Sequence, residues 1–404
     1  VRPQTDHKNS SMALAALLFY GILTLWVPGR WAVGIYQSLV LGAAAAWGIW
    51  LIVRPAAVQS TSLLVPLAMV PVWGLAQLAS GRTIYRWETW NSVLNWTVNL
   101  AVFFLALQIL SDRPARQRFL NSVLYFGVGL SVISTLQMFT SGGKIFWIFP
   151  SGYSDFVLGP FVYKNQYAAF IETILPIALY RGMTSKTPFR YWAMAAVMVA
   201  SVLAAASRMG AVLVIGELLV IPLVASFRGL LAWRTAAMAL GSAIALSGVF
   251  TAVVGTEVIW NRFQQADPYQ GRDGMLRSSL QMIHDRPGLG FGLGTWSTAY
   301  PAYALYDDGS FANQAHNDWA QWAVEGGLPL AGAMFVFACL IGRLAWTSLW
   351  GFGLVSVLLH CLVDYPMQQR PALAAWFFAL AGTLAAAGAA DKPSVRHSRG
   401  SVPQ

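Results

Sequence analysis

The sequence predicts an all-α polytopic membrane protein, and three observations carry that reading. Of 404 residues, 57% are hydrophobic and only 10% are charged, with a mean hydropathy of +0.55. Soluble domains are about 25% charged, so this chain cannot cover itself with polar surface. Apolar runs of about 20 residues, enough to cross a hydrocarbon core of about 30 Å, recur from one end to the other. The short alternating strands of a barrel are not visible. The first apolar run lacks a small-residue cleavage site and leads into further runs, so it reads as a span rather than a signal peptide. Cys339 and Cys361 lie in apolar runs; two thiols make no metal site and give no evidence of redox compartment.

About twelve spans are expected, at 12–27, 31–53, 63–80, 93–110, 119–140, 163–180, 191–206, 209–227, 232–254, 319–340, 346–363 and 372–389. From Ala193 to Ala225 the apolar character is almost unbroken. As one helix that stretch would be about 50 Å long, too long for one crossing. Its only interruption is Ser207-Arg208-Met209-Gly210, which predicts a tight helical hairpin with Arg208 at its turn.

Lys and Arg in short loops set orientation. One side carries both termini with Arg2, Lys8, Arg54, Arg113, Arg116, Arg118, Arg181, Lys186, Arg190, Arg228, Arg234, Arg343, Lys392, Arg396 and Arg399; the other carries Arg30, Arg82, Arg86, Lys144, Lys164, Arg208 and Arg370. The imbalance predicts cytoplasmic termini. It also accounts for the net charge of +10 without nucleic acid as a partner. The expected organisation is then spans one to nine over residues 1–254, an outward loop over 255–317, spans ten to twelve over 318–390, and a basic cytoplasmic tail over 391–404, predicted to be disordered.

The stretch 257–327 is the one part that does not read as membrane, carrying among others Arg272, Asp273, Arg277, Arg286, His316, Asp318 and Glu325. Gly271-Arg272-Asp273 opens an amphipathic helix with Leu276, Leu280 and Ile283 on one stripe, which suits a helix lying on the membrane face. Arg272 would project from its N-terminus, where anions are favoured; Arg277 and Arg286 read as contacts to solvent or lipid headgroups. The run Gly288-Leu289-Gly290-Phe291-Gly292-Leu293-Gly294 has neither the Gly-Lys-Ser/Thr nor the preceding strand of a nucleotide loop, and reads as a flexible strap. Asp307-Asp308-Gly309 reads as a turn rather than a metal site, since no third oxygen ligand is in view. His316-Asn317-Asp318 begins the tenth span, and a histidine at a helix N-terminus has its neutral form favoured, as suits a general base.

Three places outside this stretch could carry chemistry. Lys164 and Asn165 open the sixth span, where helix amides are free for an anion; the alternative is an interfacial lysine that snorkels to the lipid surface. Glu172 lies two turns inward on the face of Lys164. Arg208 offers a planar fork of donors matched to phosphate oxygens, although a turn could hold an ordinary loop arginine. His360 and Asp364 are one helical turn apart and are expected to pair within the bundle.

The series Phe161…Lys164-Asn165, Ser207-Arg208-Met209-Gly210, Gly271-Arg272 and His316-Asn317 followed by Glu325-Gly326-Gly327 resembles the O-antigen ligase and O-antigen polymerase superfamily, over most of the chain and in order and spacing. The resemblance implies a GT-C-like, metal-independent, inverting glycosyltransferase without a cofactor, in the bacterial inner membrane. It would act on the periplasmic side, with undecaprenyl diphosphate-linked glycan as donor. It implies that Arg208 and Arg272 hold the diphosphate and that His316 acts on the acceptor hydroxyl, with Lys164, Asn165, Arg277, Asn317 and Glu325 as further substrate contacts. A ligase would transfer to lipid A–core oligosaccharide; a polymerase would extend the glycan on its carrier. A protein O-glycosylating relative commonly carries a further C-terminal region, and this chain ends soon after its twelfth run. A lipid-linked oligosaccharide transporter would instead need polar residues near mid-bilayer on discontinuous helices.

Overall fold

The computed structural model describes residues 4–152, 157–254, 271–305, 309, 311–368 and 371–390. These residues are predominantly helical, with almost no sheet. In chain order the helices are α1 (Gln4–Leu23), α2 (Arg30–Val53), α3 (Leu64–Ala79), α4 (Arg86–Ile109), α5 (Arg113–Thr140), α6 (Lys164–Glu172), α7 (Leu175–Thr184), α8 (Pro188–Ala204), α9 (Arg208–Phe227) and α10 (Trp233–Val254). There follow α11 (Arg272–Asp285), α12 (Trp296–Ala299), α13 (Asp318–Thr347), α14 (Phe352–His360) and α15 (Pro371–Ala390). A single two-residue hairpin, Lys144–Ile145 with Phe149–Pro150, is the sheet among the described residues.

Six helices are long and apolar enough to cross a membrane (α2, α4, α5, α9, α13 and α15), and the apolar helices Asn9–Leu23, Leu64–Ala79, Pro188–Ala204 and Leu349–His360 are shorter. The chain is a polytopic all-α membrane protein. Each of the twelve expected runs falls on a helix, with two adjustments. The sixth breaks into α6 and α7 where Pro176 enters the first turn of α7, because proline can start a helix but not donate within one. The eleventh stops at His360, and residues 361–364 turn away from the helix axis.

The centre of the bundle is α15. It is the most buried of the six long apolar helices, with Trp376 against Phe170 at 4.9 Å and Phe126 at 5.9 Å, and Phe378 against Trp96 at 5.5 Å and Phe337 at 5.6 Å. By contrast α2 exposes Ile49, Ile52 and Val53, an apolar face that suits lipid. The hairpin predicted at Arg208 is present: α8 ends at Ala204 and α9 begins at Arg208.

The strap 288–294 is packed, contrary to the flexible linker expected of its glycines. Phe291 N donates to Val324 O (2.9 Å), Gly292 N to Glu325 O (3.0 Å), and Ile84 N to Phe291 O (3.0 Å). Gln77 of α3 grips the same layer, donating to Leu289 O (2.6 Å) and Glu325 O (2.8 Å) and accepting from Leu293 N (3.0 Å). Glycine is required here by proximity: a Cβ on Gly290 would stand 2.5 Å from two carbonyl oxygens, of Val324 and Glu325. Opposite it α13 is kinked at Gly327, whose φ of 71° and ψ of −178° leave the helical region.

A second small core of Met282, Phe291, Trp296, Ala299, Ala315 and Val324 joins α11 to α13. It uses a different face of α11 from the Leu276 and Leu280 stripe. The face that packs is Gly274, Ser278, Ser279 and Met282, with Ile283 partly buried beside it, while Leu276 and Leu280 stay exposed. Small residues and hydroxyls win that face because they permit close approach: Ser278 Oγ reaches Tyr303 O at 2.8 Å, and Ser279 Oγ accepts from Trp296 Nε1 at 3.0 Å.

Candidate active site

Four helices begin at one place. The first residues of α6, α9, α11 and α13 are Lys164, Arg208, Arg272 and Asp318, and the exit of α14 passes among them. Helix N-termini carry unsatisfied N–H groups and partial positive charge, so their convergence suits an anion.

The α9 start is tied to α6 through its cap. Ser207 Oγ accepts from Gly210 N at 3.2 Å and donates to Asn165 Oδ1 at 2.7 Å. A Cβ on Gly210 would lie 2.4 Å from that of Ala168, so glycine is what lets α9 close on α6. Asn165 Nδ2 donates to the Tyr163 hydroxyl (2.9 Å) and to Asp364 Oδ2. Tyr163, the residue before α6, donates to Asp364 Oδ2 at 2.9 Å and accepts from Arg272 Nη2 at 3.1 Å.

Arg272 follows Gly271, whose φ of 75° glycine alone adopts without strain. Its Nη1 donates to Val363 O at 3.0 Å, and its Nη2 lies 3.6 Å from Asp364 Oδ2. His316 is held with φ 52°, a region uncommon for residues with a side chain. Asn317 caps α13, accepting from Ala320 N at 2.9 Å, and donates to Leu362 O at 2.8 Å. Asp318 N donates to Cys361 O at 2.8 Å, and its Oδ2 accepts from Met367 N at 3.0 Å. The α13 start and the α14 exit are thus stitched together.

Asp364 is the hub. Besides the contacts above, its Oδ1 accepts from Tyr365 N at 2.9 Å and lies 3.6 Å from His316 Nδ1. Its side chain is only 2% exposed, against 25% for Arg272 and 24% for His316. Burial by itself pushes the Asp364 carboxyl upward. The His316 side chain, the Arg272 guanidinium and His360 outweigh it and hold the group below its ordinary value. An ionised carboxylate therefore faces an arginine, an imidazole, a phenol and an amide. Aromatic rings close the group: Tyr163 stacks on Tyr365 at 5.4 Å, and Tyr365 meets His316 edge to face at 4.6 Å.

Of the residues expected at the site, Asn165, Arg272, His316 and Asn317 come together, and the backbone of Arg208 joins them next to Ser207. Lys164 lies between Tyr163 and Asn165. Two others are elsewhere. Arg277 is 73% exposed and faces Asp273 at 3.9 Å, on the side of α11 away from Asp364. Glu325 is buried and holds the strap, accepting from Gly294 N (2.8 Å), Gln321 Nε2 (2.9 Å) and Trp296 N (3.4 Å).

His360 does not pair with the Asp364 side chain as its spacing suggests. Its Nδ1 lies 2.8 Å from Glu172 Oε1, both side chains fully buried, because the helix ends at His360 and turns Asp364 outward. Glu172 accordingly belongs to this internal pair rather than to a face shared with Lys164. Tyr163 and Tyr365 are the residues that spacing did not bring forward, and Asp364 was expected only as a partner of His360; the visible signal was Asp364-Tyr365-Pro366, a polar and turn-forming break at the end of an apolar run.

Among the described residues no group of three or more His, Cys, Asp or Glu is placed to hold a metal; Asp307 and Asp308 lie outside them, as do Glu257, Arg262 and Asp267. No curated protein matches the chain. The family model described as O-antigen ligase matches residues 193–335, a stretch that contains Arg208, Arg272 and His316, while Tyr163, Asn165 and Asp364 meet them from outside it. Residues 193–335 are thus an O-antigen ligase family domain, which supports the resemblance to the O-antigen ligase and polymerase superfamily.

Proposed function

We propose that this protein is an O-antigen ligase, which transfers a glycan from undecaprenyl diphosphate to a sugar hydroxyl of lipid A–core oligosaccharide at the periplasmic face of the bacterial inner membrane. The observation that carries the reading is the Asp364 hub, which sets an arginine and a histidine side by side where four helix N-termini converge. One half of that arrangement fits a diphosphate and the other half a proton acceptor.

With Nδ1 turned to Asp364, His316 has Nε2 left for the acceptor hydroxyl. The hydroxyl oxygen forms a bond to the anomeric carbon as the bond from that carbon to the diphosphate oxygen breaks, and its proton passes to Nε2. One displacement inverts the anomeric centre. Asp364 stabilises the imidazolium that forms, in the way a buried carboxylate supports a histidine base. Arg272 spends one N–H on Val363 and one on Tyr163; a guanidinium has five, so donors remain for phosphate oxygens. Together with Arg208 and the helix termini it offsets the charge that grows on the leaving diphosphate, a role that needs no metal or other cofactor. Lys164 and Asn165 border the donor side, and Asn317 keeps the base in register.

Charge in the short loops supports the outward placement of this end of the bundle. The deeper ionisable residues do not support a transporter: Glu172 and His360 are fully buried against one another. The test is purified protein in detergent with lipid-linked glycan and lipid A–core. Transfer to the core supports a ligase; chain extension without core acceptor marks a polymerase; transfer to a Ser or Thr peptide marks the protein-glycosylating relative; absence of all three products overturns the enzymatic reading.

A further inference from the structure

We propose that Tyr365 is the positioning residue for His316, its ring setting the angle at which the imidazole meets the acceptor; this rests on the reading of His316 as proton acceptor. The backbone of His316 is already fixed. The Asn317 cap and the bonds from Asp318 N to Cys361 O and Asp364 O hold the chain on either side of its left-handed φ. The imidazole is less constrained. Among the described residues its ion-pair partner, Asp364 Oδ1, is 3.6 Å away, beyond hydrogen-bond range, so charge attracts Nδ1 without defining the plane of the ring.

Tyr365 supplies that definition. The two rings meet with centroids 4.6 Å apart and planes at 85°, the edge-to-face geometry favoured by the aromatic quadrupole. Tyr365 cannot easily turn. It is 7% exposed, its other side is covered by Tyr163 at 5.4 Å and 10°, and its own N–H is bonded to Asp364 Oδ1. Tyr163 in turn is bound to Asp364 and to Arg272. The base is therefore braced, through two stacked rings, on the segment that also carries Asn165 and the donor-side helix starts.

A ring in this role is tested by separating the ring from its hydroxyl. Tyr365→Leu and Tyr365→Met remove the ring; Tyr365→Phe keeps it. The ring-free variants are expected to lose about 10- to 100-fold in kcat, the scale of a misplacement of about 1 Å, with the KM for lipid-linked glycan little changed. Tyr365→Phe is expected to keep kcat within a few-fold. Full kcat in both ring-free variants overturns the proposal, as does a loss in Tyr365→Phe equal to theirs.

A second readout needs no turnover. With 13C-labelled histidine, the His316 resonance, assigned by its disappearance in His316→Ala, carries a ring-current shift that Tyr365→Phe keeps and the ring-free variants lose. An unchanged resonance in a folded ring-free variant overturns the brace. Normal transfer by His316→Ala overturns instead the assignment of His316 as base, whatever the resonance shows.

Discussion

The Tyr163 hydroxyl donates to Asp364 Oδ2 at 2.9 Å across 201 positions of sequence. The same hydroxyl accepts from Arg272, so a neutral phenol is wedged between a carboxylate and a guanidinium that themselves stand 3.6 Å apart. That relationship joins the start of α6, the start of α11 and the exit of α14.

Asp364→Asn should keep the shape of the hub while removing its charge. Transfer is expected to fall by about 10²-fold or more, the scale of losing an effective acid–base arrangement, with the protein still present in the membrane. Initial rates on purified protein, normalised to monodisperse material, measure it; a loss below about threefold would remove Asp364 from the mechanism.

Arg208→Ala, Arg272→Ala and His316→Ala are each expected to abolish glycan transfer without loss of protein from the membrane. Arg277→Ala is the internal contrast. Its side chain faces water and Asp273 at 3.9 Å, and exposed i,i+4 pairs contribute about 0.3–0.5 kcal/mol. It should transfer glycan within about twofold of wild type on that scale, and a complete loss would mean that α11 presents Arg277 to substrate.

Glu325→Ala addresses the strap rather than the chemistry. It leaves the N–H groups of Gly294 and Trp296 and the amide of Gln321 without their acceptor, at a cost of about 1–3 kcal/mol for a buried polar group left unsatisfied. Melting in detergent should shift downward and the membrane level should drop. A normal melting curve with transfer abolished would instead make Glu325 a substrate contact.

Gly327→Ala should be more severe than an ordinary surface change. The residue has φ 71°, and a Cβ would come within 2.2 Å of Gly288 O. Positive φ outside glycine costs about 1–3 kcal/mol before any clash, and the opposing atom is backbone. Low yield and a lowered melting temperature are expected, while Gly332→Ala on the same helix, with open space around it, should behave as wild type.

The charge on Asp364 has a pH signature. Its folded-state value is depressed, so the stability it confers is fully present above the ordinary carboxylate value of about 3.9 and is lost as pH falls from there through the folded value. The difference in melting temperature between wild type and Asp364→Asn should stay constant from about pH 8 to about pH 5 and shrink below about pH 4. A difference that shrinks between pH 8 and 6 would mean the carboxyl is not held ionised.

The sequence by itself determined the class of the protein and most of its segmentation. Apolar length alone implies crossing helices, and the break at Ser207-Arg208 follows because about 50 Å of continuous helix exceeds the bilayer. It also singled out Arg208, a costly charge in an apolar stretch, and Arg272 and His316, each at the expected start of a helix. What it could not decide was partnership. His360 and Asp364 look like a pair at four-residue spacing, and only the end of α14 at His360 sends one side chain inward to Glu172 and the other out to Arg272 and His316. Likewise Glu325 lies near His316 in sequence yet faces the strap, because the amides of Gly294 and Trp296 reach its carboxylate there. Local periodicity reports which face of a helix is apolar; which polar groups meet across the bundle depends on where helices end and how closely glycine and serine let them approach.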